Sequence, residues 1–186
     1  MTAFYAPKTS EERAASLLER APLFARLRRL RWERKKRELI FVPAYEVCFS
    51  GKEELVFVVD GLRGSWCHLL AERPARNETQ IDLPFSLSPG KAEEIARRNL
   101  RALLFFRILK KAPDKVSSLS RVGYPFWVQY LSRKSRYDFW LLDAMRSTWE
   151  EGKVKESVAL LFATEAKKAA EGQKARKDAN PAQQEI

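Results

Sequence analysis

Apolar positions in the N-terminal segment recur at spacings of three and four. Thr9 followed by Glu12 forms a capping-box pattern that opens a short helix through Ser16, Leu17 and Leu18 and ends it before Pro22. Pro22 suits the first turn of a second helix, whose apolar stripe is Leu23, Phe24, Leu27 and Leu30. Arg26, Arg28, Arg29, Arg31, Arg34, Lys35, Lys36 and Arg37 fill its other positions, eight cations among twelve residues, so the pattern predicts a strongly basic amphipathic helix.

From Leu39 the period changes. Ile40 to Phe49 is β-branched and aromatic with Pro43 inside it, Gly51-Lys52-Glu53-Glu54 reads as a turn, and Leu55 to Val59 is a second strand closed by Asp60-Gly61. The same pattern returns further along the chain. Pro43-Ala44-Tyr45 through Phe49-Ser50 lies over Pro125-Phe126-Trp127 through Leu131-Ser132, and Asp60-Gly61-Leu62-Arg63-Gly64-Ser65-Trp66 lies over Asp143-Ala144-Met145-Arg146-Ser147-Thr148-Trp149. A helical pattern follows each hairpin. One runs from Pro89 to Lys111 behind Ser88 as N-cap; the other runs from Gly152 to Glu171 with Val154, Val158, Leu161 and Phe162 on one stripe.

These elements predict an α+β fold in which a tandem ββα repeat forms a four-stranded antiparallel sheet with helices on one face, preceded by basic N-terminal helices. The expected organisation is a basic N-terminal helical segment over 1–38, a tandem ββα domain over 39–172 with repeats 39–111 and 121–172, and a disordered tail over 173–186. The stretch from Cys67 to Ser88 has no sustained period and reads as an insertion.

Charge sharpens the picture more than length does. The 186 residues carry a formal net charge of +11, and residues 1–40 hold 11 Lys/Arg against 5 Asp/Glu, more than half of that excess. Such a surface attracts polyanions, acidic protein faces or anionic headgroups. Hydrophobic residues at 45% and charged residues at 32% fit a folded chain in water. Cys48 and Cys67 are too few for a disulfide framework and read as reduced thiols. No apolar run approaches the ~18–20 residues of a membrane-spanning helix, so the expected location is cytoplasmic.

Catalytic chemistry has little support in the sequence. The two Asp-x-x-Arg units, Asp60/Arg63 and Asp143/Arg146, read as turn chemistry, with aspartate accepting backbone hydrogens at a strand end. His68 is the single histidine and no close ligand spacing surrounds it, so neither a metal nor a cofactor is expected. Gly51-Lys52 and Gly90-Lys91 are dipeptides without a phosphate loop. The unit from Asp60 to Gly64 resembles the hairpins of cystatin-like or propeptide-type modules; the match is one hairpin long and implies no function.

The second hairpin gathers aromatic and basic residues. Phe126, Trp127 and Tyr130 lie on its first strand and Arg133, Lys134 and Arg136 at its turn. The sequence reading is a non-catalytic interaction protein, an adaptor or accessory subunit that docks on an acidic protein surface of a larger complex through the basic helix and an aromatic sheet face. The alternative is a nucleic-acid-binding protein that places RNA or DNA phosphates on Arg26 to Arg37 and stacks bases on the second hairpin. A membrane surface ranks behind both, and no small-molecule substrate is expected.

Overall fold

The computed structural model describes residues 2–20, 32–51, 54–70, 73–79, 83–105 and 115–179. Over these the chain forms eight strands and three helices: β1 (Thr2–Tyr5), α1 (Glu11–Glu19), β2 (Glu33–Ser50), β3 (Leu55–Asp60), β4 (Cys67–Leu70), β5 (Arg76–Thr79), α2 (Pro89–Phe105), β6 (Lys115–Arg133), β7 (Arg136–Asp143), β8 (Thr148–Glu150) and α3 (Lys153–Ala179). All eight strands belong to one mixed sheet. The expected four-stranded ββα repeat with helices on one face is therefore corrected to an eight-stranded sheet covered on both faces.

The long strands β2 and β6 organise the sheet. They pair antiparallel from Glu33↔Ser132 to Ser50↔Lys115, and the register sets Val42 opposite Tyr124. These two positions are equivalents in the sequence repeat, so a local pseudo-twofold axis passes between them. Each long strand carries a hairpin on its C-terminal half: β2 pairs with β3 and then β4, and β6 pairs with β7 and then β8. The duplicated unit is this three-stranded meander; the helices do not repeat with it.

Both faces of the central strands are apolar because both are covered. Positions 42–49 are buried without interruption, the signature of a strand packed on two sides. On one face α3 places Val154, Val158 and Leu161 over Val42, Val58, Tyr124, Phe126 and Leu141. On the other, α2 sets Ala92, Ile95, Ala96 and Leu100 against Tyr45, Val47, Phe49 and Phe57. Beside it α1 packs Ala14 and Leu18 on Trp127, Leu131, Trp140 and Leu142.

The sheet also curls. Along β4, β3, β2, β6 and β7, four steps of ~4.8 Å would separate β4 from β7 by roughly 19 Å in a flat sheet. His68 Nε2 in β4 nevertheless lies 4.0 Å from Asp143 Oδ2 at the end of β7. The edges of the two meanders meet over the face that bears Trp66, Tyr124 and Phe126.

The basic N-terminal helices require a second correction. α1 is present, with Ser10 as its N-cap accepting from the Arg13 amide, one residue later than the capping box implied. Arg34, Lys35, Lys36 and Arg37 lie in β2, an extended strand whose partner β6 supplies the ladder hydrogen bonds a helix would have made internally. The position-38 boundary thus falls inside a strand. Arg26, Arg28, Arg29 and Arg31 lie outside the described residues. β1, unexpected from the sequence, pairs parallel with β6 at Gly123, where an added Cβ would sit 2.4 Å from the Phe4 ring.

Candidate functional site

Strand pairing gathers the cations at one end of the β2–β6 ribbon. Arg34 lies opposite Leu131 and Arg37 opposite Gln129, while Lys35 and Lys36 occupy a bulge between them. The buried Gln129 amide donates to the Lys35 and Lys36 carbonyls at 2.8 and 3.2 Å and accepts from Arg37 at 3.1 Å, so the bulge is satisfied and held open. Lys35 and Lys36 have local acidic partners, Glu33 at 2.8 Å and Glu38 at 2.5 Å. Arg34 lies over the Trp140 ring, 5.3 Å from its centroid.

The neighbouring β6–β7 turn differs. Arg133 and Arg136 face each other across the ladder, and Lys134 between them takes φ 54°. Like charges in direct cross-strand register are destabilising, and left-handed backbone is costly for a lysine. All three are exposed, and among the described residues none has a carboxylate partner. With Ser135 and the half-buried Trp32 they line a cleft of about 400 Å³. Tyr137, 82% exposed, follows on the same hairpin opposite Ser132.

Not every aromatic expected at an interface is on the surface. Phe126 is fully buried beneath α3, and Trp127 is 8% exposed under α1 with its Nε1 donating to the Thr9 carbonyl. Tyr130 is half-buried, bonded through its hydroxyl to Glu38 and tilted against Phe162. Trp32 and Tyr137 were not among the expected interface residues. The sequence signal for Tyr137 is its place beside a two-residue hairpin turn; Trp32 carries none once the helical reading of 22–37 is adopted.

A second cluster forms where the meander edges meet. The turns after β3 and β7 share one design. Asp60 accepts from the Leu62 and Arg63 amides, and Asp143 from those of Met145 and Arg146. Gly64 and Ser147 both take left-handed backbone, at φ 64° and 55°. Gly61 N donates to Pro43 O, and Ala144 N to Pro125 O. Both aspartates are fully buried, as a structural turn role requires.

Around Asp143, however, stand further titratable groups. Tyr124 donates its hydroxyl to Asp143 Oδ2 at 2.8 Å. His68, stacked on Trp66, has Nδ1 2.9 Å from Arg146 Nη1, which is 3.5 Å from Glu150 Oε1. Because a guanidinium only donates, Nδ1 accepts and the ring proton sits on Nε2. Burial, and then the Arg146 charge, lower the His68 pKa to about 4, so the ring is neutral at pH 7. Burial raises the carboxyls of Asp143 and Glu150, the latter also through the Asp143 charge.

Glu46 centres a third buried group. It accepts from Tyr5, from Arg76, from Arg73 at 2.8 and 3.1 Å and from Cys48 at 3.2 Å. Burial works to raise its pKa, but the bonds from Tyr5 and Cys48 and the charges of Arg76 and Arg73 outweigh it and hold the carboxyl below its ordinary range. With Cys48, Arg73 and Arg76 on Oε1 and Tyr5 on Oε2, Glu46 ties the 73–79 segment to the sheet through the two arginines. Cys48 and Cys67 are free thiols, pushed up to about 11 and about 12 chiefly by burial.

No family model, curated protein or solved structure matches the chain. No helix among the described residues is long and apolar enough to cross a membrane.

Proposed function

We propose that the protein is a nucleic-acid-binding module that takes a single strand at its basic end, with phosphates on Arg133, Lys134, Arg136 and Arg34 and bases against Trp32 and Tyr137. The observation that carries this reading is the β6–β7 tip, where an Arg133–Arg136 cross-strand pair flanks a left-handed Lys134 with no carboxylate partner among the described residues. That arrangement costs stability, and a bound polyanion offsets the cost. A cleft with an aromatic wall beside unpaired cations is the usual means of holding a single strand without reading its sequence. Arg26, Arg28, Arg29 and Arg31 precede Trp32 in the sequence and lie outside the described residues. Two free thiols suit a cytoplasmic setting for such a module.

Docking on an acidic protein, as an accessory subunit of a larger complex, would draw on the same cations. Fluorescence anisotropy of labelled twelve-nucleotide single strands, with duplex and polyglutamate as competitors, separates the two. The proposal expects the single strand to bind more tightly than the duplex and a Trp32→Ala variant to bind roughly tenfold more weakly, the range of one lost base–aromatic stack. Equal competition by polyglutamate, with no effect of Trp32→Ala, moves the assignment to an acidic protein.

A further inference from the structure

The internal repeat supplies its own control for the cluster around Asp143. The first turn is completed by backbone amides and neutral hydroxyls alone: Ser65 Oγ and Ser157 Oγ each donate to Asp60 Oδ2 at 2.8 Å. Holding this turn therefore does not call for titratable side chains. At the second turn Tyr124, Glu150 and His68 have been added; Tyr124 stands where the other half has Val42, and His68 and Glu150, paired with the equivalent residues Val58 and Leu141, are each other's counterparts and both gather at Asp143. Something other than the turn accounts for them.

Geometry indicates what that is. The cluster sets the Asp143 and Glu150 carboxyl groups and the His68 imidazole around the Arg146 guanidinium, with the Tyr124 hydroxyl behind Asp143. The side chains of His68, Asp143 and Glu150 are 12%, 0% and 13% exposed. Among the described residues His68 Nε2 has no hydrogen-bond partner, although it is buried. One donor atom from each of His68, Asp143 and Glu150 falls within 4.8 Å of the others. An imidazole nitrogen with two carboxylate oxygens suits a first-row divalent ion such as Zn²⁺.

We propose that His68 Nε2, Asp143 Oδ2 and Glu150 form a binding site for Zn²⁺ or a similar first-row divalent cation, with the Arg146 guanidinium as the internal cation that the metal displaces. Metal–ligand bonds of ~2.0–2.2 Å set ligand atoms roughly 3–4 Å apart, so atoms now within 4.8 Å of one another close in by about 1–2 Å. The ring proton moves from Nε2 to Nδ1, which requires Arg146 to leave Nδ1. Its side chain is 42% exposed and has a way to solvent. Tyr124 keeps its bond to Asp143 as an outer partner that orients the carboxylate. Three protein ligands leave the remaining position to water.

The test is calorimetric titration of the full chain with Zn²⁺, with Co²⁺ absorption as a second readout. One ion per chain is expected. His68→Ala and Glu150→Gln should each weaken binding at least tenfold, while Arg146→Ala, which removes the competing cation, should strengthen it about tenfold. A Cys48→Ser/Cys67→Ser variant should bind as the wild type does. Retention of the thermal midpoint in EDTA shows that each variant is folded. The proposal is overturned by the absence of saturable binding below about 1 mM, by unchanged affinity in both ligand variants, or by Arg146→Ala binding no more tightly than the wild type.

Discussion

A variant with Arg133, Lys134 and Arg136 all changed to Gln isolates the cations at the β6–β7 tip. Each phosphate neutralised on a single strand contributes about −0.7 to the slope of log K against log salt. Three such contacts amount to about −2, a roughly twentyfold difference in affinity loss between 50 and 200 mM salt. Lys35 and Lys36 already hold Glu33 and Glu38 and release fewer counterions, so Lys35→Gln/Lys36→Gln should change the slope by well under one. The same triple variant should fold slightly better, by about 0.2–1 kcal/mol, because the Arg133–Arg136 repulsion is gone. Anisotropy across a salt series gives the slopes, and urea unfolding gives the stability. A triple variant with the wild-type slope, or a Lys35/Lys36 variant that loses as much, would refute the sorting of free from paired cations.

Further expectations concern the scaffold. Gly64→Ala should destabilise by about 1–3 kcal/mol in urea unfolding, since its left-handed backbone disfavours a side chain and the new Cβ would meet Ile95 Cδ1 at 2.4 Å. Glu46→Gln should cost about 2–3 kcal/mol, less than a fully buried pair because Arg73 and Arg76 are 42% and 27% exposed. The Glu46 carboxyl is depressed on folding, so its contribution is complete above its ordinary value of 4.5 and is lost as pH falls through the folded value; the gap between wild type and Glu46→Gln should narrow there. The His68 pKa, depressed from 6.5 to about 4, has the same sign: between those values the unfolded chain takes up a proton that the folded chain refuses. The wild type should therefore lose stability relative to His68→Asn as pH falls from 6.5 to 4, and parallel curves would contradict the buried neutral ring.

The repeat was the most legible feature of the sequence, because identical turns need identical chemistry: Pro43 and Pro125, Asp60 and Asp143, Gly64 and Ser147 perform matching backbone tasks. The hairpins, α1 and the buried stripe of α3 were readable from period alone. The sheet was not, because strand periodicity is silent on which long strands pair. The unbroken apolar run from Val42 to Phe49, apart from Glu46, was the available sign that both faces would be covered. Residues 33–38 misled because a run of Arg and Lys has no period of its own and inherits that of its neighbours. At the basic end the cations were legible and their pairing was not. The cluster of His68 with Asp143 and Glu150 joins residues distant in sequence and becomes visible only once the sheet curls.

The most direct test of the basic end as the binding surface is ultraviolet cross-linking of the full chain to a short single strand, with the attached peptides mapped by mass spectrometry. Cross-links concentrated at Trp32 and Tyr137, within peptides spanning Trp32–Arg37 and Arg133–Tyr137, are the expected result. Cross-links confined to α2 or the 73–79 segment, with the basic end unmarked, would contradict the account.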